Sequence, residues 1–164
     1  NMNYIIDGHN LIPKIPGLKL SDPEDEKALI DLLIPFLRMT RSRAKVFFDH
    51  GADGQSGDRN FGLVKATFMP AGKSADQGII DYIHKLGGEA RNHNLVSSDR
   101  MIHAAARAHY VPVIKSEEFA ARLVEKLAEN PETTQAFDGL TVGEVEEWEA
   151  LFNQYGGAPD GYSP

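Results

Sequence analysis

The chain alternates short runs of near-continuous apolar residues with longer segments whose apolar residues recur every three to four positions. The first pattern marks buried strands and the second marks amphipathic helices. Strands are predicted over Met2–Asp7, Lys45–Asp49, Leu63–Met69, Asn94–Ser98 and Val111–Ile114. Leu63–Met69 alternates Lys65 and Thr67 with apolar neighbours, so it is placed near a sheet edge. Helices are predicted over Ser21–Arg43, from Ser74 to Gly87-Gly88, over Asp99–Tyr110 and over Ser116–Asn130, which Pro131 stops. Ser21 can cap the first, with Asp22, Glu24 and Asp25 in its opening turn and basic residues in its last. Pro35, inside that helix, is expected to kink or split it. Ser74 and Gln77 form a capping box. Residues 50–61 are rich in glycine and charge and read as an exposed loop. A second capping box, Thr141 to Glu144, opens a last acidic helix to Tyr155, and 156–164 reads as a loose tail.

Strands separated by helices, with apolar residues on both strand faces, predict an α/β fold. The expected form is a three-layer α/β/α, Rossmann-like sandwich around a mainly parallel sheet of about five strands. Four of these are expected to be parallel and one to be an extra edge strand. The length of 164 residues suits one compact domain, and a hydrophobic share of 41% suffices for its core. With no cysteine, a disulfide scaffold, a thiolate zinc site and a cysteine nucleophile are excluded. No apolar run has the length of a membrane span, so no membrane partner is expected. No secretory signal is visible, and the expected location is cytoplasmic. Asn1, ahead of Met2, is read as a tag remnant.

Charge divides the chain. Residues 1–116 carry 15 Lys+Arg and 13 Asp+Glu, a balance of +2, whereas 117–164 carry 2 and 11, a balance of −9. The net acidity of −7 therefore belongs to the C-terminal part and does not argue against nucleic acid for the rest. Arg38, Arg41, Arg43 and Lys45 form a local basic cluster. It suits either a helix end favoured by the macrodipole or a patch that contacts phosphate.

The candidate chemistry lies in four aspartates. Asp7 and Asp49 end strands, Asp99 follows one, and Asp76 lies in the first turn of the helix capped by Ser74. In a parallel sheet the carboxyl ends of the strands share one edge, and ligands bind in the crevice outside it. Four carboxylates on that edge repel one another, and a hard divalent cation such as Mg2+ or Mn2+ relieves the repulsion. They can serve two metals, or one metal and a base. Asp22, Asp25, Asp53 and Asp58 are read as ordinary loop or helix-start residues. Asn10, close to Asp7, either orients a carboxylate or touches substrate. His9 and His50 flank the same edge, as do Ser98 and Arg100. Neither Ser97 nor Ser98 has a histidine at general-base spacing. No nucleotide-cradling glycine motif is present, so no nucleotide cofactor is expected.

These residues also carry a resemblance. Tyr4-Ile-Ile-Asp-Gly-His-Asn-Leu-Ile12 resembles the opening motif of the NYN domains, and within them the YacP-like group, relatives of the PIN nucleases. Val46-Phe-Phe-Asp49, Ser74-Ala-Asp-Gln77, Val96-Ser-Ser-Asp-Arg100 and Ser116-Glu-Glu-Phe119 follow in matching order, so the resemblance spans about residues 3–125. It implies a PIN-like NYN domain over 1–130; 131–164, read from its own capping box and charge, is expected as a C-terminal acidic helix and tail packed on or extending from the same domain. It further implies a Mg2+- or Mn2+-dependent endoribonuclease with one or two ions, and Asp7, Asp49, Asp76 and Asp99 as catalytic and metal-binding residues. One ion would activate water, held mainly by Asp7 and Asp99. Asn10, His9, Ser98, Arg100 and Lys73 are the expected substrate contacts, with Arg91 and the basic cluster as further candidates for the RNA backbone. Single-stranded RNA is the expected partner, in the form of mRNA and with ribosome association, as for some members of the group. Two alternatives stand beside this reading: an RNA- or ribosome-binding module with weak or no cleavage, and a phosphohydrolase of small esters, whose D-x-D pattern the first strand lacks. His9 stands where the family usually has Tyr, and the acidic C-terminal segment has no counterpart.

Overall fold

The protein is described by a computed structural model, which describes residues 2–20, 24–50 and 56–129. Six strands, β1 (Asn3–Asp7), β2 (Arg43–Phe48), β3 (Gly57–Asn60), β4 (Val64–Phe68), β5 (His93–Val96) and β6 (Val113–Ile114), form one sheet in the order β3-β4-β2-β1-β5-β6. Five are parallel, and β3 pairs antiparallel with β4 at one edge. The helices are α1 (Gly8–Leu11), α2 (Glu24–Thr40), α3 (Ala75–Leu86), α4 (Arg100–Ala108) and α5 (Ser116–Ala128).

The period-two geometry of the strands builds the three layers. Tyr4 and Ile6 of β1, with Val46 and Phe48 of β2, point into a core closed by α2 and α5 through Leu29, Leu33, Phe119 and Leu123. Ile5, Phe47 and Leu95 point the other way, against Ile79 and Ile83 of α3 and Ile102 and Ala106 of α4. Both strand faces are buried, which explains the continuous apolar runs. Tyr4, Phe36 and Phe119 pack edge-to-face or tilted in the first core, at centroid distances of 5.2 to 6.4 Å.

Several expectations require correction. Residues 50–61 are not wholly loop, because Gly57–Asn60 is the edge strand β3. All four of its residues are exposed, so no apolar alternation betrays it. Backbone pairing to β4, and the Thr67 hydroxyl donating to Asp58 at 2.8 Å, hold it in place. The predicted edge strand, now β4, is therefore internal, and the parallel strands number five rather than four. Pro35 does not split the first helix, which runs unbroken over Glu24–Thr40. The carbonyl that Pro35 leaves without a donor belongs to Asp31, on the exposed side of the helix, where water is available. The Ser74–Gln77 box is only half formed. Ser74 accepts from the Gln77 amide at 3.1 Å, but the Gln77 side chain turns to Asp81 at 2.9 Å. Ser21 and the segment Thr141–Tyr155 lie outside the described residues. Among the described residues no helix is long and apolar enough to cross a membrane.

Candidate active site

The sheet order reverses at β1. The chain builds outward from β1 through β2 to β4, then returns to the other flank of β1 for β5 and β6. The crevice at the carboxyl ends of β1 and β5 is therefore the switch point of the fold. Asp7 ends β1 there, and Ser97, Ser98 and Asp99 form the turn from β5 into α4. The chain can turn into α1 immediately after Asp7 because residue 8 is glycine. A Cβ on Gly8 would lie 2.6 Å from Cδ1 of Phe48.

Asp7 is 4% exposed. The Ser97 hydroxyl donates to its Oδ2 at 3.2 Å, and the backbone amide of Asn10 also donates to the carboxylate. Burial is the largest influence on this group. It outweighs the Ser97 bond and, with repulsion from Asp49 and Asp99, raises the pKa of Asp7 from 3.8 to about 6. Ser97 Oγ also accepts from the Asp99 amide at 3.0 Å, so one buried hydroxyl ties Asp7 to the α4 turn. Asp99 caps α4, accepting from the Met101 amide at 2.9 Å.

Asp49 and Asp76 complete the group from the other side of Asp7. Asp49 Oδ1 accepts from the Ala75 amide at 2.8 Å, across the sheet edge at the start of α3. That bond fixes the α3 N-terminus, and with it Asp76, against the end of β2. The proton affinity of Asp76 is raised to about 7, through desolvation first, then a hydrogen bond with the Asp99 carboxylate, then repulsion from Asp7, Asp99 and Asp49. The four aspartates thus converge on one edge and feel one another's charge. The donor chemistry fits a hard divalent cation, with oxygen ligands only and two carboxyls holding protons well above their ordinary range. Among the described residues, however, no three carboxylates or imidazoles are already disposed as a cage for an ion.

The remaining predicted residues fall into three groups. His9 bridges two acids. Its Nε2 lies 2.7 Å from Glu26 Oε2, and its Nδ1 lies 3.1 Å from Asp49 Oδ2 and 3.2 Å from the Asp49 amide. Asn10 and Ser98 knot the loop to α5. Asn10 Oδ1 accepts from the Ser98 amide at 2.9 Å and from the Ser116 hydroxyl at 2.5 Å, while Ser98 Oγ donates to Glu117 at 2.8 Å. Lys73 and Arg100 are exposed. Lys73 pairs with Asp81 of α3 at 2.7 Å, and Arg100 opens α4. The basic cluster, in contrast, is not at this edge: Arg43 and Lys45 occupy the amino-terminal half of β2, the opposite end of the sheet. Glu26 is the site residue that sequence reasoning missed, whereas Ser97 and Glu117 lay in motifs quoted above without the roles seen here; helix packing brings in the two glutamates.

A Rossmann-like sheet with acidic residues gathered at its switch point defines an α/β domain with a carboxylate-lined ligand crevice. Residues 4–144 match the family model described as YacP-like NYN domain, and the chain belongs to that family. Among solved structures, the crystal structure of Rae1 (YacP) from Bacillus subtilis superposes with a TM-score of 0.66 at 18% identity, covering 94% of this chain and 91% of that one. A crystal structure of a tryptophan-to-leucine mutant of the same Bacillus subtilis protein superposes with a TM-score of 0.63, also at 18% identity, covering 94% and 99%. The likeness establishes the shared fold. A comparison with curated protein sequences finds no match.

Proposed function

We propose that the protein is a divalent-metal-dependent endoribonuclease that hydrolyses phosphodiester bonds in single-stranded RNA. The observation that carries this reading is the convergence of Asp7, Asp49, Asp76 and Asp99 at the switch point, with Asp7 and Asp76 raised in proton affinity by burial and by their neighbours. The family, whose PIN-like relatives are nucleases, supports the same class. A bound Mg2+ or Mn2+ ion would supply an activated water and offset the charge gathering on the phosphate. The chain's own residues prepare the place. Ser97 and the Asn10 amide orient Asp7, the Met101 amide orients Asp99, and the Ala75 amide with His9 orients Asp49. Arg100, exposed at the start of α4, is the nearest cation in sequence to Asp99 and is assigned to the RNA backbone. mRNA as substrate, ribosome association and a cytoplasmic location are parts of this proposal, as are the ligand roles of the four aspartates.

The test is cleavage of a single-stranded oligoribonucleotide with Mn2+, with and without ribosomes, by wild type and Asp99→Asn. Metal-dependent cleavage lost in the variant is expected. Equal cleavage by both would remove Asp99 from the mechanism. One observation favours a second reading, an RNA- or ribosome-binding module: the carboxylates are not already caged around an ion position among the described residues. Calorimetry separates the two, since the nuclease must bind Mn2+ saturably, and Asp7→Asn must weaken that binding.

A further inference from the structure

The basic cluster of the sequence finds its place at the other end of the strands. A cavity of about 300 Å3 opens there, at the amino ends of β1, β2 and β5 and along the flank of α3. Arg43 and Lys45 of β2 and Lys65 of β4 line it, together with Tyr82 of α3, His93 of β5 and Asn60 of β3. None of the described residues lining it is acidic. The register explains the grouping. Lys45 pairs directly with Lys65 across β2 and β4, and Arg43 lies two residues before Lys45 on the same face.

Lys45 is the centre of this arrangement. Its side chain is only 20% exposed, and its ammonium lies 4.9 Å from the Tyr82 ring centroid and 5.5 Å from that of Phe47. Its carboxylate partner, Asp58, stands at 3.8 Å and already accepts from Thr67. Burial lowers the pKa of Lys45; Asp58 opposes this, and Lys65 and Lys85 add to the lowering. One distant carboxylate therefore faces several cations in a half-dry setting. A dianion in the cavity would balance that excess. The guanidinium of Arg43 and the ammonium groups of Lys45 and Lys65 are the donors that phosphate oxygens take, and Asn60 and His93 add neutral polar groups.

We propose that this cavity is a phosphate-binding site, separate from the carboxylate edge, which seats a phosphate group of an RNA strand or of a free nucleotide. Lys45 lies in the amino-terminal half of β2 and Asp49 just past its carboxyl end, about 13 Å apart at roughly 3.3 Å per residue. A strand of a few nucleotides held at the carboxylates is long enough to reach the cavity along the exposed β3 edge of the sheet. That arm rests on the nuclease reading; the free-nucleotide arm does not.

The experiment uses the whole chain in EDTA, so that binding is measured without cleavage. Calorimetry with AMP and fluorescence anisotropy with a labelled single-stranded oligoribonucleotide compare wild type, Arg43→Gln/Lys65→Gln, and the charge-matched control Arg107→Gln/Arg122→Gln. All four positions are exposed, so the variants should fold, which thermal melts verify. The cavity variant should lose affinity about tenfold or more, while the control changes far less. For RNA, the slope of log affinity against log salt should fall by about 0.7 for each phosphate that is no longer neutralised. Weakening for RNA alone assigns the site to a strand, weakening for AMP alone assigns it to a nucleotide, and weakening for both makes it a general phosphate seat. Wild-type affinity in the cavity variant for both ligands, or no binding of either ligand by wild type, overturns the proposal. The nuclease reading fails separately, through absence of metal-dependent cleavage by wild type.

Discussion

Replacing Asp7 by Asn removes one buried charge while keeping the shape and an acceptor for the Ser97 hydroxyl. The size of the effect follows from the proton affinity of the native carboxyl. A shift from 3.8 to about 6 corresponds to roughly 3 kcal/mol, at about 1.4 kcal/mol per tenfold change in affinity. The sign is set by the raised value. The native state holds the proton more tightly than the unfolded chain, so this contribution to stability is complete below 3.8 and is lost as pH rises through about 6. At about pH 8 the wild type bears the full cost of a charge that is 4% exposed, and the Asn variant bears none. Urea unfolding in EDTA should therefore show Asp7→Asn more stable by up to about 3 kcal/mol near pH 8, and nearly equal to wild type near pH 4. Added Mn2+ should close that gap and then reverse it. A ligand at a hundred times its Kd stabilises by about 2.7 kcal/mol and at a thousand times by about 4.1 kcal/mol, and the variant lacks the carboxylate that provides this gain. A variant less stable than wild type near pH 8, or a difference independent of pH, would refute the assignment of Asp7 as a buried charge whose desolvation outweighs its two hydrogen bonds.

Four other outcomes are expected. Ser97→Ala should destabilise by about 1–3 kcal/mol, because the Asp99 amide and Asp7 lose a buried partner together; unchanged urea midpoints would show that the bridge is not needed. Gly8→Ala should destabilise by about 1–3 kcal/mol through the collision with Phe48, and Gly8→Ala/Phe48→Leu should recover part of that loss, measured by thermal unfolding. His9→Ala should reduce cleavage with only modest loss of stability, since it frees Asp49 and Glu26 at a partly exposed position; equal kcat/KM would make His9 a bystander. Cleavage at fixed Mg2+ should rise with pH as Asp76 and Asp7, raised to about 7 and about 6, release their protons. More Mg2+ should move that rise to lower pH, because ions and protons compete for the same oxygens; a flat profile from about pH 5 to pH 8 would contradict it.

Much of this protein is local in origin, and that part is legible in the sequence. Strands with both faces buried leave unbroken apolar runs such as Tyr4-Ile-Ile and Val46-Phe-Phe, and the two cores on either side of the sheet are the direct result. The topology rule that parallel strands end on one edge is enough to bring Asp7, Asp49, Asp76 and Asp99 together from positions up to 92 residues apart. Caps such as Ser74 and Asp99 are short-range hydrogen bonds, and their residue types announce them.

What only the tertiary structure decided concerns partners that no periodicity encodes. The strand β3 is exposed along its whole length, so its pairing with β4 rests on backbone bonds and leaves no apolar signature. Glu26 reaches His9, and Ser116 and Glu117 reach Asn10 and Ser98, because α2 and α5 pack over β1, a consequence of core shape and not of spacing along the chain. The basic cluster shows the same limit. Its charge is plain in the sequence, but which end of the sheet it occupies depends on strand direction and register. These place Arg43 and Lys45 beside Lys65 and away from the carboxylates. Burial, finally, is a property of the assembled fold: it raises the proton affinity of Asp7, which as an isolated residue is an ordinary carboxylate.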